Sequence, residues 1–245
     1  MENEILLIDK PAGISSFGVV ARVRRVLSEQ AGKKVKVGHT GTLDPFATGL
    51  LILLTGKMTK KSNEFLKLDK TYEATLKLGY TSTTGDPEGV ITASEITADA
   101  CSSPSLRVER RSLRSPLVAQ AALDFDAVMQ TLNAVVGEIE QQVPKFSAVK
   151  INGQRAYKLA RDGKDFETPT RKVTIYSIEI LEYNYPELKI RTHVSSGTYI
   201  RTLAEDIGKK LGTGAYLTSL RRITVGNYKV ENAVKLDTII TKEEK

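Results

Sequence analysis

The stretch GHTGTLDPFATGLLILLT, residues 38–55, is the most informative part of the chain for its fold. Its first twelve residues place three threonines, three glycines and one proline around a single carboxylate, Asp44. Glycine and proline restrict the backbone to particular turn conformations. The last six residues are almost wholly apolar, which predicts a buried strand or the start of a helix. The pattern therefore predicts one acid on a rigid turn at the mouth of a buried segment.

The flanking sequence predicts an α+β fold with a mixed, largely antiparallel sheet flanked by helices and loops, because strands outnumber helices without strict alternation. Runs or alternations of apolar residues predict strands within 4–13, 70–83, 173–183, 187–197 and 215–230. Helical spacing and capping residues predict helices within 15–32, 59–69, 124–137 and 198–212.

The net charge of the 245-residue chain, +7, points to a polyanionic partner such as nucleic acid. Residues 150–229 carry 15 Lys and Arg against 8 Asp and Glu, a surplus as large as the net charge of the whole chain. This segment is either a solvated basic face or an RNA-binding surface. Its interleaved aromatic residues favour RNA, which offers phosphates and stackable bases together.

Cysteine and histidine usage argues against a metal site or a disulfide, because the chain has one cysteine, Cys101, and two widely separated histidines. The N-terminus resembles no signal peptide, and the longest apolar run, LLILL, is too short to span a bilayer. We therefore expect a cytoplasmic protein without a membrane segment. Incomplete phosphate-loop and dinucleotide motifs make kinase, hydrolase and redox functions poorly supported.

Asp44 has two interpretations at this point. It could cap the turn before Pro45, or it could serve as a covalent nucleophile. An ionised carboxylate beside a buried strand needs a cation, and the basic half of the chain offers candidates such as Arg201.

Five ordered blocks resemble those of the bacterial tRNA pseudouridine-55 synthases, the TruB family. They are LLIDKPAGISSF, GHTGTLDPFATGLL, KTYEATLKLG, VPKFSAVKINGQRAYKLARDG and SSGTYIRTLAEDIGKKLGTGAYLTSLRR. The resemblance implies an isomerase that converts the T-loop uridine at position 55 of tRNA to pseudouridine by flipping the base. It further implies an aspartate-dependent exchange of the glycosidic bond, with no cofactor and no metal.

The resemblance also assigns roles to individual residues. Asp44 matches the catalytic aspartate, Arg201 its cationic partner, and Tyr72 the tyrosine that stacks on the flipped uracil. The implied substrate-binding residues are His39, Tyr72, Tyr199, Leu220, Lys10 and Lys60. His39 would enter the T loop, Leu220 would form an apolar wall of the uracil pocket, and Lys10 would support the Asp44 turn.

The implied organisation is one catalytic domain over 1–245, with a surface insertion at 94–117 and a thumb-like loop at 145–170. Longer family members continue into an RNA-binding domain of the PUA type, and we expect none here. The expected partner is the T-arm stem-loop of tRNA, bound by a monomer. Two alternatives remain: a non-enzymatic RNA-binding or folding module, and a pseudouridine synthase with a different RNA target.

Overall fold

The computed structural model describes residues 3–94, 123 and 125–240. Apart from Ser94, the insertion expected at 94–117 lies outside this range, as does Cys101. The chain divides into two compact units, Met1–Glu73 with Leu220–Lys245, and Ala74–Ser219.

The described part of the chain contains six α-helices and two short 3-10 helices. The α-helices are α1 Ser16–Ala31, α2 Ser62–Leu66, α3 Phe125–Asn133, α4 Ala156–Arg161, α5 Ile200–Lys210 and α6 Leu236–Ile240, and the 3-10 helices are Gly56–Lys61 and Val230–Asn232. The helix predicted within 59–69 is shorter than expected, because its first residues belong to the 3-10 helix and α2 ends at Leu66.

Fourteen strands lie in the same described residues. They are β1 Ile5–Lys10, β2 Val37–His39, β3 Thr48–Thr55, β4 Lys70–Leu78, β5 Tyr80–Ser82, β6 Ile91–Ala93, β7 Gly137–Gln142, β8 Lys150–Ile151, β9 Gln154–Arg155, β10 Thr170–Asn184, β11 Glu187–Val194, β12 Ala215–Val225, β13 Tyr228–Lys229 and β14 Val234–Lys235. The apolar run after Asp44 is therefore a strand, and the unit boundary falls within β4 and β12.

In the first unit, β3 is the central strand, and seven of its eight residues are buried. It pairs antiparallel with β1 and β2, and parallel with β12 through Arg221↔Thr48 and Arg222↔Gly49. β14 adds in parallel beside β1. A continuous apolar sequence is typical of a strand covered on both faces. One face of β3 packs into a core cluster of Leu50, Ile52, Leu54, Phe65, Val225 and Val230.

Helix α1 also belongs to the first unit, and its ends follow the capping signals in the sequence. The Ser15 hydroxyl accepts a hydrogen bond from the Gly18 N–H at 3.0 Å, and Gly32 ends the helix with a φ of 62°. Its buried face consists of Val19, Val20, Val23, Val26 and Leu27. Because Ser16 is the first helical residue, this packing also fixes its position beside the Asp44 turn.

In the second unit, β10 pairs antiparallel with β7 and β11, while β5–β6 and β8–β9 form separate hairpins. Helix α5 contacts α3 and β7. The pairings in both units are mostly antiparallel, which confirms the predicted mixed, largely antiparallel α+β fold. Residues 145–170, expected as a thumb-like loop, contain the β8–β9 hairpin and α4.

Candidate active site

Asp44 lies half-buried on the turn between β2 and β3, and its carbonyl accepts a hydrogen bond from the Ala47 N–H at 3.1 Å. The next carbonyl, that of Pro45, accepts from the Gly13 N–H at 2.9 Å and from the Lys10 Nζ at 3.1 Å. Lys10 is fully buried and also donates to the Pro11 carbonyl at 2.8 Å. The end of β1 therefore holds the turn in place, with Lys10 in direct contact with it.

Ser16 fixes the residue that precedes Asp44. Its hydroxyl accepts a hydrogen bond from the Leu43 N–H at 2.8 Å and donates to the Leu43 carbonyl at 2.9 Å. Both groups are buried, so the two bonds are shielded from competition with water. The start of α1 is thereby joined to the turn.

Arg222 spans the two ends of the same turn. Its Nε donates to the Leu50 carbonyl at 2.7 Å and its Nη2 donates to the Gly41 carbonyl at 3.2 Å. Gly49 has a φ of 100°, and a Cβ there would lie 2.3 Å from the Arg222 carbonyl oxygen. The close approach of β12 to β3 therefore requires glycine at this position.

The other predicted residues of the first unit lie on four elements. His39 ends β2, and burial, followed by the charge of Arg222, lowers the pKa of its imidazole. Tyr72 on β4 and Leu220 on β12 are buried, whereas Lys60 is exposed on the 3-10 helix Gly56–Lys61. The neutral imidazole favoured at position 39 suits contact with a base more than with a phosphate.

Lys70 stands two residues before Tyr72, on the same buried face of β4. Its Nζ donates to the carbonyls of Leu66, at 2.8 Å, and Leu68. Burial and then the nearby Arg222 charge lower the pKa of the Lys70 ammonium, against an opposing effect of Asp69, and together they bring it to about 8. The face of β4 that carries Tyr72 is therefore closely packed and electropositive.

Arg201 belongs to the second unit, on the first turn of α5, with 5% of its side chain exposed. Its Nη1 donates to the Thr84 carbonyl at 2.7 Å and lies 3.4 Å from the Asp86 Oδ2, and its Nη2 donates to the Phe146 carbonyl at 2.8 Å. Asp86 in turn accepts from the Thr84 hydroxyl at 2.5 Å and the Glu88 N–H at 3.0 Å. The guanidinium is therefore fixed in direction.

Tyr199 precedes α5 and is held through its backbone. The side-chain amide of Gln141, which is fully buried, donates from Nε2 to the Tyr199 carbonyl at 3.0 Å and accepts from the Tyr199 N–H at 2.7 Å. The Arg171 guanidinium lies 5.4 Å from the centre of the Tyr199 ring, which is within cation–π range.

Six of the predicted residues belong to the first unit: Lys10, His39, Asp44, Lys60, Tyr72 and Leu220. Tyr199 and Arg201 belong to the second unit, so the Asp44–Arg201 pairing stays a prediction. Sequence reasoning missed Ser16, Asp86, Gln141 and Arg222. Of these four, only Arg222 could have been suspected from the sequence, since a charged residue in the apolar strand AYLTSLRRITV must find buried polar partners.

Two further observations concern residues 3–94, 123 and 125–240. Within them, no group of three or more His, Cys, Asp or Glu side chains is arranged to hold a metal ion. None of the helices found there is long and apolar enough to cross a membrane.

Solved structures with similar folds provide the first comparison. The chain matches a Cbf5–Nop10–Gar1 complex with a TM-score of 0.66 and 27% identity, covering 98% of this chain and 56% of that one. It also matches an H/ACA RNP bound to a substrate RNA containing 2′-deoxyuridine, with a TM-score of 0.63, 25% identity, and coverage of 98% and 55%. The chain thus spans about half the length of these structures.

Sequence relatives provide the second comparison. The chain is 42% identical to tRNA pseudouridine synthase B of Phocaeicola vulgatus over 97% of this chain and 92% of the relative. It is also 42% identical to the Aquifex aeolicus protein of the same name, covering 97% and 74%. The model for the N-terminal domain of TruB family pseudouridylate synthase matches residues 24–115 and 105–200, and that for the C-terminal domain of tRNA pseudouridylate synthase B matches 201–244. This chain belongs to the TruB family of pseudouridylate synthases.

Proposed function

We propose that this protein is a tRNA pseudouridine synthase that isomerises the T-loop uridine at position 55. The observation that carries the proposal is the Asp44 turn, where Lys10, Ser16 and Arg222 hold the backbone around one carboxylate. The names of the sequence relatives, tRNA pseudouridine synthase B, support the substrate class. The proposal includes a monomeric, cytoplasmic enzyme that acts without metal or cofactor.

The first step is extrusion of the target base, because the glycosidic bond of a stacked nucleotide is inaccessible. His39 lies at the end of β2, three residues after Lys36, and is proposed to enter the T loop. The ring of Tyr72 then stacks on the flipped uracil and offsets about 1–3 kcal/mol of lost stacking. Leu220 supplies an apolar wall that keeps the base in the pocket.

The second step exchanges one bond for another. The bond between C1′ and N1 breaks with assistance from Asp44, by attack on the sugar or by an elimination route. The freed uracil rotates, C5 bonds to C1′, and C5 then loses its proton while N1 gains one. Arg201, as the cationic partner that the family resemblance implies for Asp44, would favour the ionised carboxylate in a site that excludes water. Tyr199 lies beside the base in this proposal.

The test is to incubate the purified protein with unmodified tRNA and with an isolated T-arm hairpin, and to map pseudouridine by carbodiimide-dependent primer extension. We expect one modified uridine, at position 55, in both RNAs. RNA carrying cytidine at that position is the matched control and must stay unmodified. Binding without any pseudouridine would support the non-enzymatic alternative, and modification elsewhere would support a different RNA target.

A second assay tests the absence of a metal requirement. With a hairpin that folds without magnesium, turnover in excess EDTA should equal turnover without it. Loss of turnover that one divalent ion restores would contradict the proposal.

A further inference from the structure

A cavity of about 370 Å³ lies in the first unit, outside the residues of the Asp44 turn. Its lining consists of Asn3, Lys33, Lys34, Val35, Lys36, Gly56, Lys57, Thr59 and Lys60. Five of these nine residues are lysines, and no aspartate or glutamate is among them. The family resemblance implies a substrate contact for Lys60, and none of these lysines has a role in the proposed function.

The cavity is lined by three stretches of chain, namely Asn3, residues 33–36 and residues 56–60, and hydrogen bonds connect them. The Gly56 N–H donates to the Lys36 carbonyl at 2.8 Å, which joins the segment after α1 to the 3-10 helix Gly56–Lys61. The Lys57 N–H donates to the Asn3 Oδ1 at 2.6 Å, and the Thr59 hydroxyl donates to the Gly56 carbonyl at 2.8 Å. These hydrogen bonds fix the backbone from which the lysine side chains extend.

A structural role accounts for part of this cluster only. Lysines favour the C-terminal end of a helix, and Lys33 and Lys34 directly follow the end of α1 at Gly32. Lys57 and Lys60 come from a different element and are exposed. With five lysines and no carboxylate among its lining residues, the cavity carries a surplus of positive charge that favours an anion.

The position of the cavity favours an anion that belongs to the RNA. Lys36 directly precedes β2, whose last residue is His39, and a Cβ at Gly38 would lie 4.0 Å from the Thr59 Cγ2. The cavity and His39 are therefore neighbours within one compact unit. A chain that places a base beside His39 continues with phosphates within reach of this surface.

We infer that the cavity binds backbone phosphates of the RNA substrate, with Lys33, Lys34, Lys36 and Lys57 as contacts additional to Lys60. This inference rests on the proposed function and deepens it by assigning a second RNA contact surface. Lysine acts as a compact point charge without the fork geometry of arginine, so the cavity recognises phosphate but not sequence.

The experiment measures the fluorescence anisotropy of labelled tRNA across a salt series. The Lys34→Ala/Lys57→Ala double variant removes one cation from each of the two lysine-bearing segments, residues 33–36 and 56–60. The matched control is Lys67→Ala/Lys235→Ala, two exposed lysines of the same unit outside the cavity. Lys60 stays unchanged because the family resemblance already implies that it binds substrate. Thermal melting establishes that both variants are folded.

The inference predicts that the slope of log K against log salt becomes shallower by about 1.4–1.8 in the cavity variant, or about 0.7–0.9 for each lost phosphate contact. At physiological salt we expect about a tenfold or greater loss of affinity, with the control variant close to wild type. An unchanged slope, or an equal change in the control, would overturn the inference. Binding to phosphatidylserine vesicles that the cavity variant alone loses, with RNA binding intact, would also overturn it.

The proposed function is judged separately. Wild-type protein that forms pseudouridine while the cavity variant keeps the wild-type slope contradicts the cavity inference alone. If wild-type protein forms no pseudouridine, the proposed function fails, and the salt slope still decides whether the cavity binds RNA.

Discussion

In the first unit, side chains hold a backbone: Lys10, Ser16 and Arg222 donate to carbonyls of the turn that carries Asp44. In the second unit, the functional side chain itself is held, because the Arg201 guanidinium donates to two carbonyls and pairs with Asp86. The two arrangements predict different effects of substitution. Replacing Asp44 should alter chemistry and leave the turn intact, whereas disturbing Arg201 should alter chemistry and stability together.

Asp44→Asn gives the largest expected effect. The isosteric amide cannot act as a nucleophile or base, so turnover should fall at least about a thousandfold, equivalent to about 4 kcal/mol. RNA affinity should stay within a few-fold of wild type, and the free energy of unfolding within about 1 kcal/mol. Single-turnover assays, binding titrations and urea unfolding measure the three quantities. Turnover within about tenfold of wild type, about 1.4 kcal/mol, would remove Asp44 from the mechanism.

Asp86→Asn should destabilise the second unit by about 3–5 kcal/mol, because it removes a buried carboxylate that pairs with the Arg201 cation. Both side chains of this pair are 5% exposed. The control is Glu179→Gln, which breaks a 3.2 Å pair with Arg191 whose side chains are 62% and 45% exposed. An exposed pair contributes about 0–1 kcal/mol. Equal losses in urea unfolding would show that burial of the Arg201 pair has no energetic consequence.

Gly49→Ala tests the backbone-held turn, and Gly13→Ala is its matched control. Both glycines have positive φ, 100° and 80°, but a Cβ at Gly13 meets no atom within 4 Å. The control should therefore lose only about 1–2 kcal/mol of unfolding free energy, because alanine is strained at a positive φ. Gly49→Ala should lose about 1–3 kcal/mol more than the control, because its methyl group collides with the backbone of β12. Thermal unfolding of the two variants measures this difference in stability. Equal losses of stability would mean that β12 shifts to accommodate the added methyl group.

Gln141→Leu and Gln141→Glu test whether the Gln141 amide positions Tyr199 in the second unit. The leucine variant leaves the Tyr199 N–H without the Gln141 acceptor, at a cost of about 1–3 kcal/mol, while the Tyr199 carbonyl keeps its bond from the Leu203 N–H. The glutamate variant retains an acceptor for the Tyr199 N–H. Turnover should follow the order wild type, Gln141→Glu, Gln141→Leu. Equal turnover in all three would show that the position of Tyr199 does not depend on this amide.

His39 gives the smallest effect, a pH dependence of stability. Its pKa is lowered in the folded state, so below about pH 6.5 the unfolded chain binds the proton first. Stability is therefore lost as pH falls from about 6.5 through the folded-state pKa. Relative to His39→Gln, wild-type protein should lose unfolding free energy between about pH 7 and 5. Parallel profiles of the two proteins would contradict the lowered pKa.

Local patterns were sufficient for much of the fold. Ser15 or Ser16, together with Gly32, predicts the ends of α1, and the apolar alternation from Tyr72 to Leu78 predicts β4, because both signals act between near neighbours in sequence. The Asp44 turn was likewise recognisable from its glycines and threonines. The ends of the helix predicted within 59–69 were wrong, since a 3-10 turn and an α-helical turn accept the same residues.

The residues that hold the site were not predictable in the same way. Asp86 and Arg201 are separated by more than a hundred positions, and no local pattern links them. Gln141 stands in the polar sequence GEIEQQ, where nothing distinguishes the fully buried glutamine from its exposed neighbour Gln142. The register of strand pairing decides such contacts, and register depends on the whole sheet.

The bond from Arg222 to Gly41 joins residues 181 positions apart, and the bond to Leu50 joins residues 172 apart. The Asp44 turn therefore reaches its final shape only when both segments of the first unit, Met1–Glu73 and Leu220–Lys245, have folded together. A fragment that lacks Arg222 would keep the glycines and threonines of the turn but lose the guanidinium that joins its two ends. The conformation around Asp44 is thus a product of tertiary folding and not of its local sequence alone.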